Sequence, residues 1–221
     1  MRINSRFRRN LLLSLLGWLV AVGFPKISEA APDNIGISDQ RSATIDRVQV
    51  YLNQLSTLQA RFMQVAPDGS LSEGTLYLAR PGGRIRLEYA PPSQLLVVGS
   101  EGWITLRDRG ADEDSRWPVG GTPFEVLIGD KVDLGRDVAV RQVDKAGGII
   151  RLTVEGREEP DAGSLTLIFS DSPMELRQWQ VIDAQRMLTT VTLADIQSNM
   201  ALDSELFEDD DPTLWGDDED G

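Results

Sequence analysis

Two residue types are missing from the 221-residue chain: it has no cysteine and no histidine. Without cysteine there is no disulfide, no thiolate nucleophile, no thiolate metal site and no N-terminal cysteine to carry lipid. Without histidine, Ser-His-Asp triads, imidazole general bases and histidine-bound zinc are all unavailable. Positive charge is scarce, with 22 Lys and Arg against 35 Asp and Glu, a formal net charge of −13. Such a chain is ill suited to neutralising phosphates, so nucleic acid is not an expected partner. The 14-residue apolar run Leu11–Phe24 falls short of the roughly 18–20 residues that a membrane-spanning helix needs.

That run has a use in its context. Arg2, Arg6, Arg8 and Arg9 precede it, and Ser28-Glu29-Ala30 and Ala31 follow. A basic start, a short apolar core and small residues at −3 and −1 describe a signal peptide, residues 1–30, cut after Ala30. The competing reading is a membrane anchor. Cleavage would leave 17 basic and 34 acidic residues, a charge near −17. Residues 31–37 read as a flexible lead-in and 38–207 as one domain. Residues 208–221, with eight acidic residues and little apolar matter beyond Leu214 and Trp215, read as a disordered tail.

Within 38–207, Ile45, Val48, Leu52 and Leu55 recur at threes and fours, with Arg41, Asp46, Arg47 and Gln54 between them. This predicts an amphipathic helix over about 38–59. From Leu58 to Val65 the pattern turns to alternation, a first strand, closed by Pro67-Asp68-Gly69. Strands are predicted at about 72–79, 84–90, 94–98 and 103–107. Residues 109–121 read as a polar loop. Thr122 reads as an N-cap with Pro123 at the first helical position, opening a short helix 124–128. Further strands are predicted at about 137–143, 148–154, 164–169, 175–182 and 187–197. About ten strands joined mostly by hairpins, with two helices, fit an antiparallel barrel or strongly curved sheet.

The candidate site follows from the alternation. Phe62, Leu76, Leu78, Ile85 and Leu87 fall on one face of the early strands. Leu96, Val98, Trp103 and Leu106 are assigned to the same face, with Phe124 and Leu127 contributed by the short helix. Residues alone leave two readings of such a face: a core filled by its own side chains, or a cavity lined by them. Arg80 is the cation at the end of the second strand, directly before Pro81. Glu73, Glu88 and Asp108 lie near strand ends. They raise paired-carboxylate hydrolysis as one possibility and solvated surface charge as the other. Asp209-Asp210-Asp211 and the acidic run 217–220 lack EF-hand spacing, so no metal site and no cofactor is expected.

One ordered series goes further: Phe62-x-Gln64, Gly74, Arg80-Pro81-Gly82, Arg86-x-Glu88-Tyr89, Pro91 or Pro92, Gly102, and Thr122-Pro123. Over roughly residues 40–212 the chain resembles the LolA family of periplasmic outer-membrane lipoprotein carriers. The resemblance implies a mainly β fold with an α lid, an unclosed antiparallel β-barrel of 10–11 strands covered by an N-terminal helix and a short central helix. It implies a hydrophobic cavity for acyl chains and a lid-closing role for Arg80. It also implies a non-enzymatic, monomeric carrier that takes acylated lipoproteins from the inner-membrane LolCDE transporter to LolB or the outer membrane. An envelope lipid- or lipoprotein-binding sensor with another cargo is the alternative. The chain departs from the family at Ile85 and Leu87, where aromatics are usual, in one extra glycine after Arg80-Pro81, and at Glu101-Gly102 in place of Asp-Gly.

Overall fold

The computed structural model describes residues 34–207 apart from 81, 112, 121 and 159. The expected leader, the first part of the lead-in, Pro81 and the acidic tail lie outside the described residues. One long helix, α1 (Asn34–Gln54), is followed by six strands: β1 (Thr57–Val65), β2 (Leu71–Ala79), β3 (Arg84–Tyr89), β4 (Leu95–Ser100), β5 (Trp103–Asp108) and β6 (Glu113–Pro118). A single turn of helix, α2 (Glu125–Ile128), separates these from β7 (Val138–Ala146), β8 (Ile149–Gly156), β9 (Gly163–Asp171), β10 (Met174–Asp183) and β11 (Leu188–Ser198). Short 3-10 turns span Pro160–Ala162 and Ser204–Phe207.

The eleven strands form one antiparallel sheet in the order β6-β5-β4-β3-β2-β1-β11-β10-β9-β8-β7. The first and last strands pair in its middle, and its two edges, β6 and β7, are consecutive in the chain. The segment 119–137, which carries α2, runs between those edges, so the barrel is unclosed. Hairpin chemistry fixes the register locally. Between β4 and β5, Ser100 pairs Trp103, leaving Glu101 and Gly102 at φ +52° and +80°. A two-residue loop with both residues left-handed matches the twist of the flanking strands, and Gly102 takes that conformation without strain.

The register builds one continuous apolar face. Ala60, Leu76, Leu87, Val97 and Leu106 stand side by side across β1 to β5. On the other half, Leu193 sits beside Phe62, and Val191, Trp179, Leu167 and Leu152 continue the row. Val48 and Leu52 of α1, Leu55 just after it, and Val126, Leu127 and Ile128 of α2 are buried in the same core. We call this covered side the inner face.

Three sequence expectations are corrected. The first helix spans Asn34–Gln54 rather than 38–59. Its last amide bond is Leu55 to the Tyr51 carbonyl, and the Ser56 amide turns instead to Asn199 Oδ1. Residues 113–118, expected as loop, form β6, whose six residues are all exposed. An edge strand with no buried face leaves no alternation to read. Thr122 does not cap α2: its hydroxyl donates to the Val119 carbonyl at 2.6 Å, and the residue preceding the helix is Phe124, with no side-chain cap.

Candidate functional site: an apolar face closed by two helices

Arg80 follows the last residue of β2 and is 4% exposed. Its Nη1 donates to the Leu52 carbonyl at 2.8 Å, and its Nε to the Gly129 carbonyl at 2.8 Å, with Nη2 on the same oxygen. Leu52 lies in the last turn of α1, and Gly129 follows α2. The terminal carbonyls of a helix have no intrahelical donor. Here Ser56, which would serve Leu52, is committed to Asn199. The local field at a helix C-terminus favours a cation, and the rigid fork of a guanidinium suits several carbonyls at once. Burial pushes the Arg80 pKa down, and the Asp130 charge opposes that shift. Asp130 also accepts the Gly82 amide at 2.5 Å. One side chain on the sheet thus holds the ends of both helices.

Beneath it the inner face is tightly filled. Leu52, Leu55 and Leu127 of the helical layer meet Leu58, Leu76, Leu78 and Ile85 from one half of the sheet and Leu176 and Trp179 from the other. The space they enclose is about 10 Å³, room for about one water molecule. Nothing larger than a water molecule fits while the helices are in place. At the β1–β3 end the Phe62 and Tyr89 rings meet edge to face at 5.0 Å, and the Tyr89 hydroxyl donates to Gln64 Oε1 at 2.8 Å. Burial raises the Tyr89 pKa, and the bond to Gln64 opposes this. Phe62 packs directly over Gly74, where a Cβ would lie 2.7 Å from the ring and 2.0 Å from the Glu88 carbonyl oxygen.

The structure sorts the predicted lining residues by face. Phe62, Leu76, Leu78, Ile85 and Leu87 are buried on the inner face, as is Leu127 from the helical layer. Leu106 shares the face through its pairing with Val97, and Phe124 packs against the core from above. Leu96, Val98 and Trp103 are corrected: they lie on the outer face. Leu96 pairs Glu88, Val98 pairs Arg86, and Trp103 is two strand positions from Thr105, which pairs Val98. Leu96 and Val98 are nonetheless buried, because the turn Ser204–Phe207 lies against β3 and β4. Arg84 sits 5.0 Å above the Phe207 ring there. Trp103 is 42% exposed and stacks under Arg116 at 4.8 Å.

The inner-face residues of β8 to β11 and the α1 leucines were missed as lining. The alternation Leu165, Leu167, Phe169 and the pair Leu152, Val154 carry the same period-two signal that picked out Leu76 and Leu78. Glu88 forms an outer-face ion pair with Arg86 at 2.7 Å. Among the described residues no cluster of three or more acidic side chains is arranged to hold a metal ion.

Fold and site together define a class: an unclosed antiparallel sheet whose apolar inner face is closed by two helices pinned at one arginine. The family described as "Outer membrane lipoprotein carrier protein LolA" matches residues 53–210, and the chain belongs to that family. It is 32% identical to the outer-membrane lipoprotein carrier protein of Pseudomonas aeruginosa over 177 residues, 75% of this chain and 83% of that protein. It is 21% identical to an uncharacterized protein of Rickettsia prowazekii over 189 residues, 86% of this chain and 83% of the relative. A solved LolA superfamily protein from Nitrosomonas europaea aligns at a TM-score of 0.41 and 8% identity, covering 75% of this chain and 97% of its own.

Proposed function

We propose that this protein is a periplasmic carrier that shelters the acyl chains of lipoproteins between its sheet and its helical lid, and moves them from the inner to the outer membrane. The observation that carries the reading is the attachment of Arg80 to both Leu52 and Gly129 above a continuous apolar face. The physical need is large. At about 0.8 kcal/mol per methylene, an acyl chain of about sixteen carbons costs on the order of 10 kcal/mol to expose to water. Sheltering it requires apolar surface and a way in, and no reaction.

In this reading Arg80 closes the lid. Phe62, Leu76, Leu78, Ile85, Leu87, Leu106, Phe124 and Leu127 meet the acyl chain once the helices lift. The inner-membrane LolCDE transporter loads the carrier, and LolB or the outer membrane receives the cargo. The leader 1–30 directs the chain to the periplasm and is removed after Ala30. Membership of a lipoprotein-carrier family supports the class of cargo. The test is to isolate the native protein from the periplasm and identify what travels with it by mass spectrometry. Acylated lipoproteins bound to a chain beginning at Ala31 are expected. A chain still beginning at Met1 in the membrane fraction, or one without lipid-bearing companions, would refute it.

A further inference from the structure

A second set of ties joins the two lid elements to each other. Asn53, in the last turn of α1, forms a reciprocal pair with Val132: its Nδ2 donates to the Val132 carbonyl and its Oδ1 accepts the Val132 amide, both at 2.9 Å. One turn earlier, Gln49 Oε1 accepts the Leu134 amide at 2.8 Å. Residues four apart lie on one side of a helix, so the two amide side chains face the same backbone. A carboxamide offers a donor and an acceptor together, and Asn53 serves Val132 as a neighbouring strand would. Val132 and Leu134 are themselves buried in the core.

Several further ties of this assembly reach the β7–β10 side of the sheet. The Tyr51 hydroxyl accepts the Leu176 amide at 3.0 Å, beside the register shift between Leu176 and Gln178 of β10. Arg47 pairs with Asp171 at 2.7 Å, and Arg41 reaches the carbonyls of Val140 and Arg141 on β7 at 3.4 Å. Beyond Leu134 the chain passes through a turn, in which the Asp133 amide donates to Asp137 Oδ2, directly into β7. Toward the other half, Arg80 and the Gly82 amide supply ties at the ends of the two helices.

We propose that α1 and residues 129–134 open as one body carried on the β7–β10 side, that the mouth parts along β2 and β3, and that Asn53 is the positioning residue that makes the release of Arg80 act on both elements together. This rests on the reading that the lid opens for cargo, and it adds the direction of opening and the residue that couples the two elements. Without Asn53 only the single Gln49–Leu134 bond still links α1 to 129–134, so freeing α1 lifts that segment incompletely and the mouth is only partly cleared.

The experiment is native-state hydrogen exchange on the full cargo-free protein, read at two amides whose acceptors lie within their own elements. These are Leu55, bonded to the Tyr51 carbonyl, and Gly129, bonded to the Glu125 carbonyl. In Arg80→Leu both should exchange at least tenfold faster, by equal factors. In the double variant Arg80→Leu/Asn53→Ala the two factors should separate by tenfold or more. Arg80→Lys, which keeps the charge and loses the fork, provides the same comparison if the leucine variant does not fold. Factors that already differ more than threefold with Asn53 intact would overturn the proposal. So would equal factors with Asn53 removed, or no acceleration in either Arg80 variant. Cargo is absent throughout, so a failure here is distinguishable from a failure of the carrier reading.

Discussion

The guanidinium of Arg80 meets the carbonyl of Leu52 at 2.8 Å, 28 residues back along the chain. That carbonyl is left for it because the Ser56 amide bonds Asn199, 143 residues further on. The closure of α1 on the sheet is thus set by contacts from both ends of the domain. Hydrogen bonds from a charged donor are worth roughly 1.5–3 kcal/mol each, and every 1.4 kcal/mol or so changes an equilibrium about tenfold.

Arg80→Leu keeps side-chain bulk and removes the donors. The variant should fold, with its closed state disfavoured by tenfold or more. Under the proposed function cargo loads through an open lid, so uptake of lipoprotein should survive, while transfer to an acceptor membrane should slow. Transfer assays with purified cargo check this, and transfer rates equal to wild type would remove the arginine from the cycle.

Gly74 lies under the Phe62 ring, with the Glu88 carbonyl oxygen 2.0 Å from where a Cβ would sit. A backbone oxygen cannot turn away as a long side chain does. Gly74→Ala should therefore cost about 1–3 kcal/mol of stability, the usual range for overpacking. Urea unfolding measures it, and a loss under about 0.5 kcal/mol would mean that the strands part there more easily than their register suggests.

Much of this architecture is legible in the sequence, and the exceptions have physical causes. Leu76 and Leu78, then Ile85 and Leu87, announce their face because their neighbours are polar or exposed. Leu95, Leu96, Val97 and Val98 are all apolar, since the turn ending in Phe207 buries the outer face of β4 as well. No alternation survives there, and parity is lost after Pro92. The end of α1 was hidden because Leu55 and Leu58 continue the helical spacing into β1, and the residue that ends the helix, Asn199, is remote. Arg80 stood out by its position before Pro81. The amide ties of Asn53 and Gln49 carry no local signal, because their partners are backbone groups.

Val97 and Val98 make a matched pair on opposite faces. Val97→Thr places a hydroxyl on the inner face and should weaken the uptake of an apolar fluorophore. Val98→Thr places it under the turn Ser204–Phe207 and should leave uptake unchanged, with any loss confined to stability. Equal weakening by both would contradict the assignment of faces.

Asp171 accepts hydrogen bonds from Arg47 and Lys145, which hold its pKa below the usual carboxylate value. A depressed folded pKa contributes stability above the unfolded value of about 3.9, and that contribution is lost as pH falls through the folded pKa. The attachment of α1 to the β9–β10 hairpin should loosen below about pH 4. With no histidine in the chain, no side chain titrates at its ordinary pKa between about pH 6 and 8, and lid exchange corrected for intrinsic amide rates should be flat there. Asp171→Asn should abolish the acid-side loosening. A variant that loosens at the same pH as wild type would place the titrating group elsewhere.

In the proposed function the inner face of the sheet receives an acyl chain. This is tested most directly by titrating protein lacking residues 1–30 with an apolar fluorophore, then adding one lipoprotein in acylated and non-acylated forms. Saturable binding is expected, which the acylated form displaces and the non-acylated form does not. Absence of saturable binding in both wild type and Arg80→Leu, or equal displacement by the two forms, would contradict it.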